Sequence, residues 1–142
     1  MTPVSELQGF LPHSDNMVWI DYVLETSETG GSCLVVVDKN KHYANAVEVR
    51  QSSFVEWMAQ GFGFVNAKVA KDSGNSQSVS KAFLVGFNNI TFSDFQPIDK
   101  EELLITTHVK RVIGPISYIE GKIISRNTGT LYCEGQLKLF SN

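Results

Sequence analysis

The stretch SSFVEWMAQGFGFVNAKVAK, residues 52–71, decides the fold. Phe54, Val55, Met58, Phe62, Val65 and Val69 return at three- and four-residue steps, the period of an α-helix. The segment is apolar on almost every side, so it must be covered on almost every side. Gly61 and Gly63 each cost roughly 1 kcal/mol of helix propensity relative to alanine. Close approach of the helix to something flat is their expected compensation. Ser52 or Ser53 is the expected N-cap, and Glu56 stands at the capping-box distance from Ser53.

Working outward, the first dozen residues read as a lead-in with one helical turn, ending at Pro12. NMVWIDYVLE (16–25) is rich in β-formers, and SCLVVVDKN (32–40) carries a valine triplet. With Gly30-Gly31 as a turn signal between them, the two runs read as a hairpin. After the helix, DSGNSQSVS (72–80) is polar and reads as a loop. Four strand-like runs follow at 82–92, 102–112, 116–124 and 129–140. Turn signals at Pro97-Ile98-Asp99, Gly114-Pro115 and Asn127-Thr128-Gly129 separate them. The expected architecture is α+β: a curled six-stranded antiparallel sheet wrapped round one long central helix. One domain is expected to span residues 1–142.

The totals narrow the function. The chain has 142 residues, enough to bury a core without staples. Hydrophobic residues make up 42% and charged residues 19%, a globular balance. A net charge of −3 argues against nucleic-acid binding as the main task, which needs a basic face. Cys33 and Cys133 form no CxxC and no Cys/His cluster at zinc spacing. They are expected as buried or half-buried thiols in a reducing compartment. MTPVSELQGF has neither a basic nor an apolar leader region, and no apolar run reaches the roughly 20 residues of a membrane span. No signal peptide is expected, and the protein is expected to be soluble and cytoplasmic.

Two stretches carry a family resemblance. LPHSDNMVWIDYVLE (11–25) looks like the opening of the FabZ-type 3-hydroxyacyl carrier-protein dehydratases. SFVEWMAQGFGF (53–64) resembles their central helix, whose hallmark is a Glu followed by Met-Ala-Gln, here Glu56-Trp57-Met58-Ala59-Gln60. The run from Ala82 to Phe140 matches in order, with FSDFQPID at the family's proline corner, so the resemblance covers nearly the whole chain. The family's catalytic His and Glu lie fourteen residues apart, the spacing of His42 and Glu56 here. The family has Phe-Pro-Gly after the His, and this chain has Tyr43-Ala44-Asn45. It has Pro-Gly before the helix, and this chain has Arg50-Gln51. These departures resemble the dehydratase-like proteins of aryl-polyene gene clusters more than the housekeeping enzymes. The resemblance implies a hot-dog fold, a homodimer or a heterodimer with a homologous dehydratase, and a site whose His and Glu come from different chains.

The implied reaction removes a proton from Cα of a 3-hydroxyacyl thioester and expels hydroxide from Cβ, giving the trans-2-enoyl product. An imidazole near neutral pH suits the base, so His42 takes that role. A carboxyl group in apolar surroundings keeps its proton and suits the acid, so Glu56, between Phe54, Val55, Trp57 and Met58, takes the other. The helix N-terminus pulls the other way and favours the carboxylate. Backbone N–H groups of Gln51, Ser52 and Ser53 are expected at the thioester oxygen, and Gln60 is expected either to hydrogen-bond within the site or to lie on the helix surface. An acyl carrier protein is acidic as a class, and Lys39, Lys41 and Arg50 are the expected docking cations. Such an elimination needs no metal and no redox cofactor, and none is expected. His13 is expected to make a structural hydrogen bond, His108 to be an ordinary strand residue, and Asp21 to pair at the sheet surface. Two other readings stand beside this one. In the first, the chain is a degenerate subunit that pairs with an active homologue, with a tunnel blocked by Trp57 or Phe62. In the second, it is a hot-dog thioesterase, for which the spacing of His42 has no use.

Overall fold

The structure, a computed structural model, describes residues 1–7, 18–45, 48–74 and 82–141. His13 and most of the polar stretch after the helix lie outside these residues. The apolar segment forms one helix, α1, over Gln51–Asp72. Among the described residues seven strands surround it: β1 Thr2–Pro3, β2 Tyr22–Thr26, β3 Gly30–Val36, β4 Ala82–Phe92, β5 Glu102–Ile113, β6 Ile116–Ser125 and β7 Leu131–Ser141. They make a single antiparallel sheet in the order β1-β2-β3-β5-β6-β7-β4.

The lead-in adds the strand that sequence did not predict. Thr2 and Pro3 pair with Val23 and Tyr22, and a 3-10 turn follows at Val4–Glu6. The first predicted strand starts later than expected, at Tyr22. Trp19 just before it gives its N–H to the Gln60 side chain, 2.9 Å away, and not to a strand. The predicted hairpin does form, with Val23 opposite Cys33. Gly30 and Gly31, however, are strand residues and not its turn. A Cβ at Gly30 would strike the Thr107 carbonyl and come within 2.6 Å of His108 Cα, so the glycine serves close backbone approach to β5.

The predicted cap is also replaced. Arg50 is the N-cap, with extended backbone and no side-chain cap bond, because the Ser53 hydroxyl donates to the Tyr43 carbonyl at 2.7 Å. Glu56 is therefore not part of a capping box. Trp57, Met58, Phe64 and Ala67 are fully buried beneath the sheet. Burying a large apolar side chain is worth about 1.5–3 kcal/mol, so α1 anchors the core. The expectation of close approach holds at Gly61, where a Cβ would lie 3.2 Å from Ile105 Cγ2. On the facing sheet Gly121 leaves room for Met58, whose Sδ would lie 2.5 Å from an added Cβ. Both cysteines are buried free thiols, and burial pushes each up to about 12.

At one end of the sheet β4 departs from a regular ladder. Its register with β7 shifts between Leu84 and Gly86 and again between Asn88 and Thr91, and Asn89 sits at φ 53°. Gly135 of β7 lies against the second bulge. A Cβ there would come within 2.7 Å of Ile90 Cα and 2.9 Å of the Asn89 carbonyl. Both obstacles are backbone, so β4 itself would have to move. Gly135→Ala is expected to destabilise the fold by about 1–3 kcal/mol, the usual cost of overpacking, read as a lower melting temperature.

A buried carboxylate holds the corner between β4 and β5. Glu101 accepts hydrogen bonds from the Tyr132 hydroxyl at 2.6 Å and from the Ile98 N–H at 3.0 Å. Burial raises its pKa, but these bonds, one from Ser125 and the charge of Lys39 together hold it below the ordinary 4.5. A depressed carboxylate stabilises the fold above its unfolded value, and that stability is lost as pH falls through the folded value. Tyr132→Phe is expected to cost about 1–3 kcal/mol at neutral pH and to flatten the loss of stability below pH 4.5. Urea unfolding across acidic pH reads both.

Candidate active site

The segment between β3 and α1 is folded into hydrogen bonds at both ends. Beyond β3 the Val37 N–H still reaches the Glu101 carbonyl at 2.8 Å. Asp38 then turns the chain: its carbonyl accepts from the Lys41 N–H at 3.0 Å and its carboxylate from the Asn40 N–H at 3.0 Å. A bridge joins Ala44 to Val49, and the side chain of Gln96 bonds both the N–H and the carbonyl of Val49. The loop carrying His42 is thus sewn to the corner before β5 on one side and to α1 on the other.

His42 itself is exposed. Its carbonyl accepts a hydrogen bond from the Arg50 guanidinium. Its imidazole makes no hydrogen bond or ion pair with a described residue, so the backbone sets where the ring starts from and nothing described selects its rotamer. The next residue, Tyr43, is fully buried, edge-on to Trp57 at 4.7 Å and to Trp19 at 5.6 Å between ring centroids.

Glu56 lies in the second turn of α1, half-buried. The Gln60 amide, one turn on and 2% exposed, donates to its carboxylate at 3.2 Å. The other end of that amide accepts from the Trp19 N–H at 2.9 Å. A backbone N–H can only donate, so the Gln60 oxygen must face Trp19 and its NH₂ must face Glu56. The amide orientation is fixed by backbone, and it presents a donor to the Glu56 carboxylate. Ser52, Glu56, Ala59, Gly63 and Asn66 form the strip of α1 that the sheet leaves open, at helical spacing. Apart from Glu56 its residues are small or neutral, which leaves room beside the carboxylate.

The other predicted residues divide. Ser53 is buried, its hydroxyl on Tyr43 and its N–H on the Arg50 carbonyl at 3.0 Å, so it has no donor left for a thioester oxygen. Gln51 and Ser52 are exposed, and as the first helical residues they have N–H groups with no acceptor within the helix. Lys41 leans towards Asp21, 3.9 Å away, while Asp21 also accepts from the Val36 N–H at 2.8 Å, the surface pairing expected of it. Arg50 is engaged with the His42 carbonyl, and the Lys39 N–H donates to Asp99 at 3.0 Å. His108 is a strand residue, 3.3 Å from Glu120 on β6. Sequence reasoning missed Trp19 and Tyr43. The signal was present in the tyrosine that stands where the related enzymes have phenylalanine.

The fold is found widely at low identity. A chain of the dehydratase heterocomplex ApeI:P from Xenorhabdus doucetiae superposes with a TM-score of 0.81 at 19% identity, covering 96% of this chain and 90% of that one. Zebra fish thioesterase superfamily member 2 superposes with a TM-score of 0.67 at 16% identity over 100% of this chain and 99% of that one. A hypothetical thioesterase with coenzyme A from Streptococcus pneumoniae gives a TM-score of 0.66 at 8% identity over 98% and 96%. These likenesses establish the hot-dog fold. No curated protein matches the chain. Residues 5–142 match the model of the ApeP-like family, described as ApeP dehydratase, and the chain belongs to that dehydratase family.

Proposed function

We propose that the chain is a subunit of a 3-hydroxyacyl carrier-protein dehydratase of aryl-polyene type, with Glu56 as the acid and His42 as the base. The observation that carries this reading is the held carboxylate. Glu56 stands on the open strip of an otherwise covered helix, and a buried amide of fixed orientation aims a donor at it. Glu56 takes no part in a capping box, and the Gln60 amide donates to its carboxylate beside that strip. On this reading the Gln51 and Ser52 N–H groups receive charge from the thioester oxygen. Lys39, Lys41 and Arg50 flank the loop of His42 as the docking cations for the acidic carrier.

One observation favours a second reading, a subunit that lends structure to an active homologue. Trp57 is wholly buried against Tyr43 and Phe54, Phe62 is buried beyond it, and the indole N–H of Trp57 has no partner among the described residues. On this reading aromatic bulk fills that flank of the helix and no acyl tunnel runs along it. Thioesterase activity has no such support, since the thioesterase likenesses carry the fold alone.

Both readings need a partner. The outer edge of β4 meets no strand among the described residues, and Leu84, Val85 and Phe87 on it are exposed. An open edge with apolar side chains is an aggregation hazard unless it is paired. We propose that β4 pairs with the same edge of a homologous dehydratase subunit, as the likeness to a heterocomplex supports. Phe87→Lys is expected to shift the complex towards monomer in light scattering, with folding retained. A wild-type protein that stays monomeric at micromolar concentration beside every homologue would refute the pairing.

The assay is mass spectrometry of a 3-hydroxyacyl carrier protein, read as loss of one water, with the chain alone and with a homologous dehydratase. His42→Ala and Glu56→Gln are each expected to lower turnover by about 10² to 10⁴. The double variant should be little worse than either, because both act on one step. An unchanged rate for folded His42→Ala sinks the first reading. Activity that appears only with the partner and survives both substitutions selects the second.

A further inference from the structure

We infer that Tyr43 is a positioning residue that fixes the place of the His42 imidazole through three separate anchors. The inference rests on the reading of His42 as the base.

The first anchor is the phenol. The Asp38 N–H, at the start of the loop, donates to the Tyr43 hydroxyl oxygen at 2.7 Å. Residues 38 and 43 are thereby closed into a small ring that has His42 on its rim. Phenylalanine fills the same volume but has no oxygen to accept that bond, so the tyrosine is used for its oxygen. The second anchor is the Tyr43 carbonyl. It accepts from the Arg50 N–H at 3.2 Å and from the Ser53 hydroxyl at 2.7 Å, which ties the residue to the start of α1. The third is the ring, wedged edge-on against Trp57 and Trp19.

His42 has no anchor of this kind for its own ring. The catalytic position of an unsupported side chain depends on its backbone, and a displacement of about 1 Å at a reacting group can cost 10²-fold in rate. Tyr43 also meets the loss of Pro-Gly from this segment. Where a proline would stiffen the backbone through its own ring, a buried tyrosine stiffens it from outside through hydrogen bonds at both ends. The phenol stays protonated throughout the working range. Burial pushes it up to about 12, with the Asp21, Asp38 and Asp99 carboxylates adding to the rise against the Asp38 N–H.

The test is Tyr43→Phe, which removes one oxygen and leaves the packing. Three measurements are made on the protein with its partner subunit: turnover, exchange of the Asp38 amide, and the His42 ring signals in NMR. Positioning predicts a kcat about 10-fold lower with KM within about twofold, displaced or broadened His42 ring signals, and faster exchange at Asp38. Ser53→Ala, which cuts the second anchor, should move the same His42 signals. A core tyrosine with no positioning role predicts a lower melting temperature alone. Unmoved His42 signals and unchanged kcat, with Asp38 exchange at least 10-fold faster, overturn the inference. If the wild type is inactive with every partner, the proposed function fails. The ring signals then still decide whether Tyr43 holds His42.

Discussion

The structure turns on one constraint: α1 is apolar on nearly every side and must be kept from water on nearly every side. A single twisted sheet cannot close completely round a helix, so a strip remains uncovered. In this chain the strip carries Glu56 with Ala59 and Gly63 beyond it. The position of the carboxylate is thus a by-product of coverage. The sheet takes the faces with Phe54, Trp57, Met58 and Phe64, and what is left over faces outward. The glycines follow from the same constraint. Gly61 on the helix makes room for the Ile105 side chain, and Gly121 on the sheet makes room for that of Met58.

Much of this was legible in sequence because period and bulk decide it. The helix could be read from the three- and four-residue recurrence of Phe54, Met58, Phe62 and Val65, and the four later strands from their β-formers and turns. What was not legible depends on partners distant along the chain. Ser53 looks like a cap until Tyr43 appears ten residues earlier to take its hydroxyl. Gly30-Gly31 looks like a turn until the carbonyl of Thr107 appears across the sheet. The donor from Gln60 to Glu56 was expected in kind, as one helical turn places them together. The backbone of Trp19, which orients that amide, lies 41 positions away, and no local pattern announces it.

The two residues proposed as acid and base are held by different means. Glu56 belongs to a rigid helix and is oriented by a side chain. His42 belongs to a loop and is oriented by its neighbour's backbone. The loop gains its order from Gln96, Arg50, Ser53 and Asp38, so several elements must be in place before His42 has a fixed position. Stability in this region and the geometry of the site are therefore coupled, and a substitution remote from His42 can reach it through the hydrogen bonds of the loop.

The two ends of the sheet are unequal. β1 is two residues long, whereas β4 is eleven. A sheet with two long open edges can add a strand at each and keep growing into a filament. A sheet with one blunted edge has a single place to grow, and the first partner uses it up. Pro3 in β1 has no N–H to give to an added strand, so under the proposed pairing the β4 end of the sheet is the better place for it to grow.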